Sequence, residues 1–487
     1  MRPERCHGRN RVKGALRAIL VGALGVWPEQ LLAAEGGHDA ALSINGAELS
    51  LLWAVPFAGV LLSIAVIPLL LPRFWHHHFG KVTAFWAGCF LIPFLLTQGI
   101  ALTVYQVLHV ALLEYIPFII LLLTLFTVAG GVRLKGQLSG SPMMNTLMLL
   151  AGTVIASWMG TTGAAMLLIR PMISANQWRQ HKGHIFIFFI FLVANVGGSL
   201  TPLGDPPLFL GFLKGVDFFW PTVHLLPLTL AMSAALLTIF FLLDSWRFRQ
   251  EPKRHDTPKG KEKFGLEGKV NILLLGAVVG AVLLSGLWKP GFGVTIFHVE
   301  MEAQNIARDL LLLGITALSL KLTSKEDHHA NAFSWGPILE VGKLFAGIFL
   351  TIIPAIAILK AGSHGALSAV VNAVTDPATG QPINAMYFWF SGILSSLLDN
   401  APTYLVFFNT AGGDAAALMG PMSGTLVAIS AGSVFMGANT YIGNAPNFMV
   451  KSICEERGIR MPSFFGYMAL STLFLGPLYV LLTMIFF

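Results

Sequence analysis

Gly198-Ser199-Leu200-Thr201-Pro202-Leu203-Gly204-Asp205-Pro206-Pro207-Leu208-Phe209 returns 239 residues later as Gly437-Ala438-Asn439-Thr440-Tyr441-Ile442-Gly443-Asn444-Ala445-Pro446-Asn447-Phe448. Gly, Thr, Gly, Asp or Asn, Pro and Phe coincide in order. At nearly the same shift Thr161-Thr162-Gly163-Ala164 falls on Asp399-Asn400-Ala401-Pro402, and the apolar stretch 222–243 falls on 463–485. Matched motifs at one offset indicate an internal repeat. In both copies glycine admits backbone angles that other residues resist, and proline withholds a helical N–H, so the spacing predicts a helix unwound for about one turn.

The sequence around these blocks is 55% hydrophobic and 11% charged over 487 residues. A soluble chain of this length needs far more charge, so the apolar residues must face lipid. Runs of roughly 16 to 23 apolar residues recur along the chain, the length that crosses a bilayer as a helix. We read spans at 49–71, 84–99, 115–131, 184–213, 222–243, 270–288, 306–320, 340–360, 423–452 and 463–485. Two further stretches, 143–173 and 384–409, are interrupted by Gly160-Thr161-Thr162-Gly163 and by Asp399-Asn400-Ala401-Pro402. A turn at membrane depth is tolerated only inside protein or beside a watery cavity, so both read as re-entrant hairpins.

Charge sets the orientation. Arg73 and Lys81, Arg133 and Lys135, Arg179 and Lys182, the basic linker 245–269, Lys321 and Lys325, and Lys451, Arg457 and Arg460 all fall in loops assigned to the cytoplasm. The outer loops hold isolated cations such as Lys214 and Lys289. The net charge of +7 is therefore the loop bias of a membrane protein, not a nucleic-acid footprint. Residues 1–34, with Arg2, Arg5, Arg9 and Arg11 before an apolar stretch and Leu32-Ala33-Ala34, have the layout of a signal peptide or signal anchor. The expected organisation is a first repeat over 45–244, the cytoplasmic linker 245–269, and a second repeat over 270–487. Each repeat holds five spans and one hairpin. An odd number starts the second repeat on the opposite side, which makes the repeats inverted. The fold class is an all-α polytopic membrane protein, with a binding site expected at the midplane between the halves.

The residues at the breaks suit ions. Unwinding frees carbonyls for a cation, while half-helix N-termini offer positive ends to an anion. Thr161, Thr162, Thr201, Thr440, Asn400 and Asn444 add neutral polar groups beside Gly204 and Gly443. Asp205 and Asp399 are the acids of the apolar blocks, and an ionisable residue at membrane depth marks an ion or proton pathway by default. Burial disfavours the charged carboxylate and a bound cation restores it, so a cation and a proton compete for the same group. The plainer alternatives are a helix kink at the Gly-x-Pro sites and an N-cap role for either Asp. Arg170 reads as an interfacial residue or, alternatively, as an anion ligand. Lys360 reads as interfacial, and Glu114, in an outer loop, as water-facing.

Weaker features carry less. His76-His77-His78 follow Trp75 at a membrane edge and read as facing headgroups. The run Phe186-Ile187-Phe188-Phe189-Ile190-Phe191 is a lipid-facing or packing surface. Cys6, Cys89 and Cys454 show no disulfide or zinc spacing, and no Walker lysine motif occurs. We expect no cofactor, no bound metal centre and no catalysis.

Gly-Gly-Ser-Leu-Thr-Pro-Leu-Gly-Asp-Pro-Pro at 197–207, Ser-Leu-Leu-Asp-Asn-Ala-Pro-Thr at 396–403 and Gly-Ala-Asn-Thr-Tyr-Ile-Gly-Asn-Ala-Pro-Asn at 437–447 resemble the ion-transporter superfamily. That superfamily includes NhaD-type sodium/proton antiporters, arsenite-efflux permeases, and citrate and dicarboxylate carriers. The resemblance covers residues 45 to 487 and is closest to bacterial proteins described as sodium:proton antiporters or citrate transporters. It implies a secondary transporter of the bacterial inner membrane, with Asp205 and Asp399 as proton carriers. Asp-Asn-x-Pro at 399–402 is similar to the antiporters, whereas Gly160-Thr161-Thr162-Gly163 departs from the Ser-Asn-Thr of carboxylate carriers and lacks the acid of arsenite permeases. The expected function is a sodium or other cation/proton antiporter working by alternating access, with a proton- or sodium-coupled citrate or carboxylate carrier as the alternative. The expected partners are sodium, protons or a carboxylate, the lipid bilayer and, as an admissible assembly, a second copy of the chain.

Overall fold

Long apolar stretches punctuated by Pro and Gly favour helices, and the described residues are mostly helical. The computed structural model describes residues 42–135, 139–251, 265–331 and 333–487. The signal-like segment 1–34 lies outside them, as does most of the basic linker. The unit considered is Ile44–Phe487.

The chain enters through α1 (Val55–Leu70) and α2 (Pro72–Val110). A π-helical turn, Ala111–Tyr115, leads into α3 (Ile116–Gly130). The expected outer loop between residues 99 and 115 is therefore helical. Gly99 bends α2 with a φ of 82°, but nothing from Ile100 to Tyr115 is Gly or Pro, and the helix resumes. Next come α4 (Pro142–Met159), α5 (Thr161–Ala175), α6 (Gly183–Leu192), α7 (Pro206–Leu213) and α8 (Trp220–Phe248). The second part runs through α9 (Lys269–Leu287), α10 (Ala303–Leu322), α11 (Lys325–Ala330), α12 (Gly336–Lys360) and α13 (Ser368–Ala373). It ends with α14 (Asn384–Leu397), α15 (Asn400–Thr410), α16 (Ala415–Met419), α17 (Ser423–Phe435), α18 (Ala445–Glu456) and α19 (Phe464–Phe486).

Two short antiparallel pairs are the strands of the described residues. β1 (Arg133–Lys135) pairs with β2 (Gly265–Glu267), and β3 (Gly293–Ile296) with β4 (Val299–Glu302). The segment read as a linker is thus partly structured: α8 runs on to Phe248, and β2 returns to the end of α3.

Among the described residues, eight helical stretches are long and apolar enough to cross a membrane, one of them the kinked run from Pro72 to Gly130. α10 has the length but is not one of the eight. It carries Arg308 and Asp309, joined at 2.8 Å, which lower its apolar character.

Both stretches read as hairpins are broken where the sequence breaks. α4 stops at Gly160, whose φ of 81° no bulky residue adopts easily, and α5 starts at once. α14 stops at Leu398, and α15 starts after Asp399. Both repeated blocks are also broken: a short 3₁₀ turn (Val196–Leu200 or Met436–Asn439) precedes an irregular segment before α7 and α18. Asp205 and Asn444 stand in matching extended conformations immediately before those helices.

Packing divides the helices. α1, α2, α3, α9, α10 and α12 pack chiefly on one another, and α4 to α8 pack with α14, α15, α17, α18 and α19 around the breaks. α3 against α5 and α12 against α15 join the two groups. The Phe run of α6 is fully buried, with Phe188 against Phe240 and Phe474. It is a packing surface and not a lipid face.

Gly204 and Gly443 serve a different purpose from the one expected. Neither adopts a positive φ. They are small because the backbone crosses itself: a Cβ on Gly204 would lie 2.2 Å from Gly198 O, and one on Gly443 2.5 Å from Gly437 O. Gly204→Ala or Gly443→Ala should therefore destabilise by about 1–3 kcal/mol, the usual cost of overpacking, and lower the thermal unfolding midpoint in detergent. Gly276→Ala, on α9 with nothing within 4 Å of the new Cβ, should leave the midpoint unchanged or raise it.

Candidate functional site

The site is built by hydrogen bonds that occur twice. Thr201 donates its hydroxyl to Ser157 O, and Thr440 donates to Ser396 O at 2.6 Å. Ser157 Oγ donates to Gly197 O at 2.5 Å, and Ser396 Oγ to Met436 O at 2.9 Å. Leu203 N reaches Thr201 Oγ1 at 3.2 Å, and Ile442 N reaches Thr440 Oγ1 at the same distance. Every pair is related by 239 residues. Each broken segment is thereby stitched to the last turn of the helix entering its hairpin. The two threonines are fully buried, and each donates its hydroxyl to a carbonyl of the helix entering the neighbouring hairpin.

Against this frame the first hairpin tip meets the first break directly, with Thr161 N donating to Gly204 O at 2.9 Å. Beside that contact Asp205 is 2% exposed. Its Oδ1 accepts from Thr161 Oγ1 at 3.1 Å and from Asn444 Nδ2 at 3.0 Å, and its Oδ2 accepts from Asn400 Nδ2. One carboxylate from the first block therefore collects donors from the first hairpin tip, the second hairpin tip and the second break. All three donors are neutral. Asn400 is fully buried, and its Oδ1 has no hydrogen-bond partner.

Asp205 does not cap α7 with its side chain. Asp399 does cap: its Oδ1 accepts from Ala401 N at 3.1 Å at the start of α15. It is half-buried and near enough to Asp205 for the two charges to interact. The two acids are thus neighbours with different local work. Thr162 is half-buried and stands outside the hydrogen bonds of Asp205. Gly204 and Gly443 contribute close backbone approach.

Other charged residues fall elsewhere. Arg170 on α5 is half-buried, with Arg457 and Glu456 at the end of α18 as charged neighbours and with its Nη1 buried without a hydrogen-bond partner. Glu114 is not water-facing. It lies in the π-helical turn, 5% exposed, and accepts from Lys214 Nζ at 2.5 Å. Its partner is 100 residues away, so local sequence carries no sign of the pair. A second buried network joins Arg179, Asp244, His184, Asn145 and Asn176 where α4, α5, α6 and α8 meet. His77 and His78 bond back to Arg73 O and Phe74 O of their own helix.

Sequence reasoning passed over Asn195 and Asn447. Asn195 Nδ2 donates to Asn447 Oδ1 at 2.7 Å, and Asn444 Nδ2 reaches Asn195 Oδ1 at 3.3 Å. At a shift of 239 the partners of Asn195 and Asn447 are Val434 and Leu208, so a comparison of the two blocks does not single them out. An isolated amide inside an apolar stretch was the available signal.

Membrane-spanning helices broken in two matched places, with polar groups gathered at the breaks, define a multi-pass membrane transporter. The chain belongs to the family described as "Putative citrate transport", which matches residues 46–487. It is similar to uncharacterized transporters of Mycobacterium tuberculosis and Mycobacterium bovis, each 24% identical over 328 residues, or 66% of this chain and 71% of the relative. A 46 kDa membrane protein of Mycobacterium leprae is 22% identical over 327 residues, with the same coverage.

The buried Glu114–Lys214 pair yields a stability test. Lys214→Met strands a buried carboxylate and should destabilise by about 3 kcal/mol, whereas adding Glu114→Gln should recover most of the loss. Thermal unfolding of the two single variants and the double variant measures the coupling. Additive losses would mean that the pair contributes nothing as a pair.

Proposed function

We propose that this protein is a secondary active transporter exchanging sodium, or a similar small cation, for protons by alternating access. The observation that carries the proposal is the Asp205 carboxylate, which is buried and held by three neutral donors from both halves. A buried carboxylate in an apolar surround lacks its counter-charge until a cation or a proton arrives. Asn400 Oδ1 supplies a free oxygen beside it. Asp399 is the second acid in range, so both proton-carrying roles stay with Asp205 and Asp399.

In this reading the repeats 45–244 and 270–487 are inverted and face the site from opposite sides of the bacterial inner membrane. The group of helices carrying the breaks moves against the group formed by α1, α2, α3, α9, α10 and α12. A cation that occupies Asp205 on one side must leave before a proton takes its place on the other. The same carboxylate therefore couples the two fluxes. A homodimer is compatible with this arrangement.

The family description favours a second reading, transport of citrate or another carboxylate. There the N-termini of α7, α15 and α18 would face the anion, and Asp205 would hold the coupling cation. Arg170, whose buried Nη1 has no hydrogen-bond partner, would be a further candidate to hold the anion in this reading.

Everted membrane vesicles separate the two. With a preset proton gradient, sodium or lithium should dissipate it in the wild type and fail to do so in Asp205→Asn, with Asp399→Asn weakened. Dissipation that survives in Asp205→Asn rejects the exchange mechanism. Uptake of labelled citrate without cation-driven proton flux establishes the second reading instead.

A further inference from the structure

The site contains a chain of amides whose orientation can be read without ambiguity. Asn447 Nδ2 donates to two backbone carbonyls, Gly437 O at 2.8 Å and Thr440 O at 2.9 Å. Carbonyls only accept, so the amino end of Asn447 is fixed and its Oδ1 must face outward. Asn195 meets that oxygen with its Nδ2 at 2.7 Å, and the same Nδ2 donates to Ile190 O at 2.8 Å. Asn195 Oδ1 is thereby turned the other way, toward Asn444.

Asn444 has two N–H hydrogens and three acceptors in reach: Ala194 O at 3.1 Å, Asn195 Oδ1 at 3.3 Å and Asp205 Oδ1 at 3.0 Å. One hydrogen is shared by the adjacent Ala194 and Asn195 oxygens, which leaves the other for Asp205. A flipped Asn444 would set its own oxygen against all three acceptors. The polarity of Asn447 dictates that of Asn195, Asn195 Oδ1 then joins Ala194 O in orienting Asn444, and the chain ends on the carboxylate. It crosses between the halves at every step, and Asn195 is fully buried; it precedes the Val196–Leu200 turn without capping it through its side chain, and its Nδ2 also satisfies Ile190 O in the last turn of α6.

We infer that Asn195 is a positioning residue: anchored by Asn447, it fixes the direction in which Asn444 presents its N–H to Asp205. The inference builds on the site but not on what is transported. Loss of Asn195 removes one acceptor and unpins the turn that carries Ala194 O, so the donor at Asp205 loosens while the carboxylate itself is untouched.

Infrared spectroscopy of the purified full-length protein in lipid tests this. The carboxyl band of Asp205, whether of the carboxylate or of the protonated acid, is assigned by its disappearance in Asp205→Asn. Asn444→Ala should shift that band, and Asn195→Ala should shift it in the same direction, by at least half as much. Asn447→Ala reads the chain from its other end and covers the case in which Asn195→Ala does not fold. A purely structural role predicts lowered thermal stability with the band unmoved, and that result overturns the inference. An unmoved band in Asn444→Ala overturns it too. Because no transport is measured, the failure of cation/proton exchange in vesicles would leave this result standing, and the reverse also holds.

Discussion

One buried carboxylate organises the centre of this protein. An ion at membrane depth costs a few kcal/mol even after partial relief, and it survives only where polar groups converge on it. Asp205 meets that condition through groups that are far apart in sequence: Thr161 on one hairpin tip, Asn400 on the other, and Asn444 across the matching break. None could be placed there by an unbroken helix. The unwound segments, the hairpin tips and the small glycines at the crossings are what bring these side chains to one point.

Those breaks carry their own constraint. A helix that unwinds inside an apolar environment exposes backbone groups that must be satisfied. Ser157, Thr201, Ser396 and Thr440 perform that service in duplicate, each hydroxyl bridging a break to the helix entering the neighbouring hairpin. The same hydroxyls, seen only as a list of polar residues, look like ion ligands. In place each also donates to a backbone carbonyl, while the Oδ1 of Asn400 has no hydrogen-bond partner.

Much of this architecture was legible in the sequence because Gly and Pro cluster at the breaks, and because two copies of that cluster sit 239 residues apart. The hairpin breaks at Gly160 and Asp399 follow from the same chemistry. Helix continuation through Ile100–Val110 was not legible, since a polar residue such as Gln106 or His109 suggests a loop while only a breaker enforces one. Glu114 was misplaced because its partner lies 100 residues away. Asn195 and Asn447 escaped notice for the opposite reason: the repeat that exposes Asp205 and Asn444 pairs these two amides with Val434 and Leu208. The site is thus symmetric in its frame and asymmetric in its chemistry, and a method that searches for symmetry finds the frame.

The short helix α7 has Asp205 at its beginning and Lys214 at its end. Its eight residues rise about 12 Å at 1.5 Å per residue, too short a rod to bend appreciably. Lys214 is held by Glu114 in the π-helical turn between α2 and α3. The buried carboxylate at the centre and the Glu114–Lys214 pair are therefore fastened to opposite ends of one short helix.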